Sequence, residues 1–243
     1  MAKLANVSKD DMIIAVMGCT GCGKTNFIAK ASGHGAQYVN ANLRPQPPNL
    51  RTFTTTHPTT GRRVVFVDTP GFDDTTVSDA ETLSLIADWL ILLKKQGARV
   101  SGVLYLHPIT NNRISYPARE NIETFVRLCG TEAMPNVILV TTMWDEIADK
   151  TMANNREEEL KRDFWDRMLR DGGAAKRFMN TSESAWDVLR ELPETPVSLQ
   201  MEYELEKGGN RVHKTSAHKH LNSSMSRWIH DVKSVLFKKN TLR

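Results

Sequence analysis

The sequence predicts an α/β fold: a three-layer sandwich with helices on both faces of a mostly parallel central sheet of about six strands, one of them antiparallel. Three observations carry this. Short apolar runs alternate with segments of helical periodicity along most of the 243 residues, the pattern of successive βαβ units. The first apolar run ends in a glycine-rich turn that opens a helix. Two β-rich stretches, RTFTTT and RRVVFVD, are separated only by HPTTG, which reads as an antiparallel hairpin.

Met12 to Met17 (MIIAVM) is an apolar run that ends at Gly18, so it reads as a strand buried on both faces. A helix follows from Lys24 to about Ser32, stopped by Gly33 and Gly35. Residues 33–50 contain Pro45, Pro47 and Pro48 and read as an exposed loop. The hairpin strands are 51–56 and 62–68. Ser78 with Glu81 forms a capping box, and Leu83, Ile86, Leu90 and Leu93 continue a helix to about Lys95. Val100 to Leu106 is the next strand. A helix from Pro117 to Cys129 has Gly130 at its C′ position. Val137 to Thr141 is a strand, 155–170 a charged helix, and Lys176 to Met179 a short last strand. Ser182 to Leu192 is helical until Pro193 and Pro196 end it. Two units are expected: a main domain over 1–196 and a helical extension over 197–243.

At 40% hydrophobic and 25% charged residues the chain has a globular composition, which excludes wholesale disorder. No apolar run approaches the roughly 18 residues that span a bilayer; the most apolar segment, Leu83 to Leu93, is interrupted by Asp88. The N-terminus turns acidic before a signal-peptide core could form. Three cysteines make no disulfide framework and suit a reducing compartment, so a cytoplasmic location is expected. The formal charge of +4 is unevenly divided. Residues 207–243 hold nine Lys/Arg and one acid, Asp231, a charge of +8, whereas the remaining 206 residues carry 23 Lys/Arg and 27 acids, a charge of −4. The pI of about 9.0 is therefore a property of the tail and gives no reason to expect nucleic-acid binding by the body.

Residues 18–25 (GCTGCGKT) fit G-x-x-x-x-G-K-[S/T], with Gly18, Gly23, Lys24 and Thr25 in the fixed places. Glycines let the backbone wrap phosphate oxygens, so the amides of Cys19, Thr20, Gly21, Cys22 and Gly23 form an anion nest. The helix that begins at Lys24 adds its N-terminal dipole and the amides of Lys24, Thr25 and Asn26. Lys24 reaches the outer phosphates and the Thr25 hydroxyl is a Mg2+ ligand. Cys19 and Cys22 also form a C-x-x-C pair. Cys129 is the only other cysteine, so the pair reads as small loop residues rather than as a zinc or redox centre. VVFVDTPG (64–71) places Asp68 at the tip of a buried strand, where it can hold the Mg2+ shell, and Gly71 where its amide can meet a γ-phosphate. Among the threonines of 52–56, Thr52 and Thr54 are the candidates for a further Mg2+ ligand.

The phosphate loop, DTPG and the later TTMWD (141–145) together resemble a P-loop GTPase, and within that class the GIMAP, septin and Toc group, over about residues 11–192. The resemblance implies a nucleotide domain that binds GTP with Mg2+ and hydrolyses it to GDP and phosphate. Thr142-Met143-Trp144-Asp145 matches the guanine-reading motif in Thr142 and Asp145, with Met143 where lysine is usual. FMNT (178–181) resembles the segment that closes over the base, with Asn180 the candidate contact. Where Ras-like enzymes carry a water-orienting glutamine, this chain has Phe72, which implies slow turnover in one chain. The resemblance also implies a homodimer across the nucleotide face, with Arg113 of LHPITNNRIS (106–115) reaching into the neighbouring site. His107 nearby reads as packed rather than as a general base. A second reading, from a different class, is a nucleotide-binding scaffold that hardly hydrolyses; a third, an ATPase or kinase, has no use for Asp145.

Leu221, Met225, Trp228, Ile229, Val232, Val235 and Leu236 fall at helical spacing beside Lys219, Arg227, Lys233, Lys238 and Lys239. This basic amphipathic segment can dock on its own domain, pack against a second copy or lie on an anionic membrane. The spacing of His213, His218, His220 and His230 suits no metal site.

Overall fold

The computed structural model describes residues 7–33, 50–74 and 76–224. Its strands are β1 (Met12–Gly18), β2 (Arg51–Thr56), β3 (Arg63–Asp68), β4 (Gly102–Pro108), β5 (Val137–Thr142) and β6 (Ala174–Arg177). They form one six-stranded sheet in the order β2-β3-β1-β4-β5-β6. All neighbours run parallel except β2 and β3, which pair antiparallel with Thr52 opposite Val67 and Thr54 opposite Val65. The helices are α1 (Lys24–Ser32), α2 (Asp79–Lys95), α3 (Tyr116–Cys129), α4 (Lys150–Glu159), α5 (Asp166–Arg170), α6 (Ser182–Leu189) and α7 (Gln200–Gly208), and residues 216–224 are also helical.

Two cores flank the sheet, as its apolar runs demand. On one face Ile13, Ala15, Met17, Val65, Val67 and Tyr105 pack on α2 and α3 through Leu83, Leu90 and Phe125. On the other, Ile14, Val16, Phe66, Leu104 and Leu106 pack on α1 and α6 through Phe27, Ile28, Val188 and Leu189. Local signals set the helix ends. Ser78 and Glu81 form the reciprocal capping box of α2. Ser115 caps α3 with Pro117 in its first turn, and Gly33 ends α1 at φ 70.

Several boundaries differ from the sequence reading, and α6 stops at Leu189 rather than Leu192. β4 begins and ends two residues later, and β6 two residues earlier, because Phe178 leaves the sheet to bury its ring 5.0 Å from Phe27. The charged helix begins at Lys150, where Asp149 accepts a hydrogen bond from the Met152 amide. It is broken by a π-helical turn, Leu160–Phe164. In an unbroken helix Leu160 and Trp165 would point about 140° apart. The extra residue, closed by the Trp165 amide on the Leu160 carbonyl at 2.8 Å, lets both enter the core.

Beyond Pro196, Leu199, Met201, Leu205, Ala217 and Leu221 are buried in the same core as α2 and α3. The apolar positions from Met225 to Leu236 and the loop 34–49 lie outside the described residues. Among the described residues no helix is long and apolar enough to cross a membrane.

Candidate functional site

The chain winds from β1 to one side of the sheet and returns to β4 on the other, which leaves a crevice at the C-terminal ends of these strands. The loop after β1 sits there. Gly18 has φ 139, and a side chain on it would overlap the Leu106 carbonyl and stand 2.8 Å from Cys22 Sγ. Gly23, at φ 94, opens α1 without any side-chain cap, so the first-turn amides are left to a ligand. Lys24 is buried, with Nζ donating to the carbonyls of Cys19 at 2.8 Å and Gly18 at 3.2 Å.

Thr25 Oγ1 donates to Asp68 Oδ2 at 2.8 Å. The other carboxylate oxygen, Asp68 Oδ1, is buried with no hydrogen-bond partner. Burial pushes the Asp68 pKa up, against the Thr25 hydrogen bond and the Lys24 charge. A buried carboxylate oxygen without a donor, beside a hydroxyl and a phosphate loop, fits a divalent cation. Among the described residues no group of three or more His, Cys, Asp or Glu could hold a metal. Mg2+ takes one or two protein oxygens and completes its shell with phosphate and water, so the Thr25 hydroxyl and Asp68 carboxylate fit it by their chemistry.

The DTPG segment backs directly onto this loop. The Thr20 amide donates to the Phe72 carbonyl at 3.0 Å and the Phe72 amide to the Gly18 carbonyl at 3.2 Å. Gly71 packs against Thr20 so closely that any side chain would overlap it. Phe72 is fully buried in the core, so its side chain faces away from the crevice. The next residues were not singled out from the sequence, although FDD directly after DTPG was a visible signal. Asp74 Oδ2 accepts from Thr20 Oγ1 at 3.2 Å. Asp73, at φ 67, accepts from Asn121 Nδ2, and its amide donates to Asp79 Oδ1 at 3.0 Å.

At the end of β5, Thr142 Oγ1 donates to the Cys22 carbonyl at 2.8 Å, tying the two loops together. Met143 takes φ 62 and turns the chain sharply, leaving Asp145 exposed. Asn180 Nδ2 donates to Asp145 Oδ2 at 2.7 Å, and Asn180 Oδ1 accepts from Asn26 Nδ2 at 2.9 Å. The sequence candidates from Gly18 to Asn26, with Asp68, Gly71, Thr142, Asp145 and Asn180, thus meet along one edge of the sheet.

Three candidates are not brought there. Thr52 and Thr54 pair with Val67 and Val65, whose face of β3 packs on α2; Thr52 lines a recess with Trp89 and Leu93. Asp68 lies on the opposite face, so strand alternation turns both threonines away from the Thr25–Asp68 pair. In this arrangement neither threonine faces the Thr25–Asp68 pair. Arg113 is exposed in the loop after β4. It borders a separate cleft of about 280 Å³ with His107, Asn112, Arg156 and Glu159. Arg156 Nη1 pins that loop through the carbonyls of Ile109 and Thr110, both at 3.1 Å. Burial lowers the His107 pKa to about 4, which keeps the ring neutral.

No family model matches this sequence, and no curated protein matches it. Solved structures do. Toc33 from Arabidopsis thaliana in complex with GDP and Mg2+ aligns with a TM-score of 0.52 at 16% identity, covering 83% of this chain and 86% of that one. A structure of the chloroplast translocon components atToc33 and psToc159, for whose GTPase activity dimerization is described as important, aligns at 0.52 and 15% identity over 75% of this chain and 81% of that one. Aquifex aeolicus Era bound to GDP and AlF4- aligns at 0.51 and 16% identity over 76% of this chain and 58% of that one. At these identities the likeness is one of fold, and the fold is that of a P-loop GTPase domain.

Proposed function

We propose that the protein binds GTP with Mg2+, hydrolyses it to GDP and phosphate, and pairs with a second copy across the nucleotide face. The observation that carries this reading is the hydrogen-bonded line Asn26–Asn180–Asp145. It fixes an exposed carboxylate at a set place relative to the phosphate loop. A carboxylate there accepts the two N–H groups on the edge of guanine and meets no such pair on adenine. A phosphate loop serving ATP would have no use for it.

Each residue then has a distinct task. The loop amides and Lys24 stabilise charge on the phosphates, with Lys24 exchanging the Gly18 and Cys19 carbonyls for phosphate oxygens. Thr25 and Asp68 would hold Mg2+, which when bound neutralises charge on the outer phosphates. The Gly71 amide meets the γ-phosphate. Phe72, buried in the core, offers nothing to orient water, so one chain alone turns over slowly. Arg113 in its exposed loop supplies the missing charge to the neighbouring copy, in keeping with the dimerization described for Toc33 and psToc159.

The test is GTP turnover per protomer as a function of protein concentration, alongside GTP and ATP affinities. Turnover should rise with concentration, and Arg113→Ala should abolish the rise, lowering the plateau by about a thousandfold, the low end for a transferred arginine. A flat profile, or full activity in Arg113→Ala, overturns the dimer reading. Burial of Phe72 also favours a second reading, a nucleotide-binding scaffold. It is supported if no phosphate is released over hours at high protein concentration.

A further inference from the structure

Cys19 and Cys22 lie in the phosphate loop, yet the tasks above use only their backbones. They open and close a tight turn, with the Cys22 amide donating to the Cys19 carbonyl at 3.3 Å. Such a turn holds the two Cα atoms within about 7 Å, a separation a disulfide can bridge. Cys22 is fully buried, 3.9 Å from Lys24 Nζ, whereas Cys19 is partly open to solvent.

The two sulfurs differ chemically. The neighbouring Cys22 thiol lowers the Cys19 thiol pKa, against partial burial and with help from the Lys24 ammonium. Burial pushes the Cys22 thiol well up. An accessible, activated thiol beside a buried partner is the arrangement of an attacking and a resolving cysteine. Cys129, fully buried and held up by burial, has neither property.

We propose that Cys19 and Cys22 form a reversible disulfide that closes the phosphate loop to nucleotide, with a hydroperoxide as the oxidant. The Cys19 thiolate attacks one peroxide oxygen; the S–O bond forms as the O–O bond breaks, and the departing oxygen takes a proton. The Cys22 sulfur then attacks Cys19, forming the S–S bond and breaking S–O, and the hydroxide leaves as water with the Cys22 proton. Two electrons pass from the sulfur pair to the peroxide, and a dithiol reverses the step. Bonding pulls the sulfurs to about 2.05 Å and fixes the turn whose Cys19 carbonyl holds Lys24. The lysine then stays on carbonyls and the amides of the turn lose the freedom to wrap phosphate. Phosphate wrapped by the turn holds it away from the closed shape, so bound nucleotide should slow the oxidation. The nucleotide half of this inference rests on the guanine-nucleotide reading of the site.

The experiment treats the reduced full chain with hydrogen peroxide, with and without GDP and Mg2+, then maps disulfides by mass and measures binding of fluorescent GDP. Expected are a 19–22 link lighter by two hydrogens, and an affinity at least about tenfold lower, the scale of one lost charge-assisted hydrogen bond. Dithiothreitol should restore binding, and GDP with Mg2+ should slow linking. Cys22→Ser should stop at a sulfenic acid on Cys19 that dimedone traps, and Cys19→Ser should bind GDP equally before and after peroxide. No 19–22 link, or a link that leaves affinity unchanged, overturns the proposal. If either variant fails to fold, the mass map of the unaltered chain decides. If the reduced chain binds no GDP, the nucleotide reading fails, while the mass map still decides the oxidation site.

Discussion

Asp145 reaches the crevice with one oxygen already engaged by Asn180 at 2.7 Å, which costs it some acceptor strength and gives it a fixed direction. Asp145→Asn replaces acceptors with an amide that sets two donors against the donors of guanine. GTP affinity should fall about 10- to 100-fold, the scale of one or two hydrogen bonds to a charged group, with ATP affinity unchanged. Asn180→Ala leaves the carboxylate but removes its support, and a smaller loss for GTP is expected. Equal losses for GTP and ATP in a competition assay would count against base reading. At this scale the sequence showed residue types but not facing. Thr25, Asp68 and Asp145 were legible because their motifs fix them relative to a strand end. For Thr52 and Thr54 the facing was not legible, because a run of threonines carries no sign of which face each takes. The Asn121 contact to Asp73 joins residues 48 positions apart, and nothing local announces it.

Between elements, the base-reading turn is held by a buried carboxylate on α4. Glu157 accepts from Thr141 Oγ1 at 3.0 Å, from Arg177 Nη2 at 2.5 Å and from Lys161 Nζ at 3.2 Å. Burial alone would raise its pKa, but these bonds from Arg177 and Lys161 hold the carboxyl below the usual range. Thr141 Oγ1 also accepts from Trp144 Nε1 at 3.0 Å, and the Arg177 guanidinium lies 4.2 Å over the Trp144 ring. The cluster therefore ties α4, β5 and β6 to the residue before Asp145. Two of its members, Arg177 and Glu157, should respond unequally. Arg177→Ala leaves a buried carboxylate short of its main partner and should cost about 3 kcal/mol, the low end for such a loss because Thr141 and Lys161 still donate. Glu157→Gln releases two partners that can reach solvent and should cost about 1 kcal/mol. Urea midpoints would rank them, and Arg177→Ala should also weaken GDP binding, because Trp144 loses its lid. This support was invisible in sequence, where 155–170 read as one charged helix. The π-helical turn was equally hidden, since it answers to where Leu160 and Trp165 must point and not to any local propensity. By contrast the capping box of α2 and the glycine end of α1 are local chemistry, and both stood where their residues indicated.

Across the whole molecule, alternation and burial specified the sheet and its two cores, because a strand covered on both faces must be apolar throughout. The same packing sets a pH response. His107 is 5% exposed at the end of β4, with its ring 6.3 Å from Trp165, and burial lowers its pKa from 6.5 to about 4. The unfolded chain therefore binds a proton between these values that the folded chain refuses. Its stabilising contribution is complete above pH 6.5 and is lost as pH falls toward 4, by about 3 kcal/mol for a shift of this size. Other groups act alongside it. Asp68 and Glu202 have raised pKa values because of burial, so they gain protons on folding and oppose the trend. Glu157, held low, loses stability only as pH falls through the ordinary carboxylate range and below. Wild type alone would therefore mix these contributions. The comparison that isolates the ring is His107→Gln, which keeps a polar side chain of similar size but cannot charge. Measured by urea unfolding at pH 7 and pH 4, the gap between the two proteins should move by about 3 kcal/mol in favour of the variant at low pH. A constant gap would mean that the ring takes up its proton in the folded state as readily as in the unfolded chain.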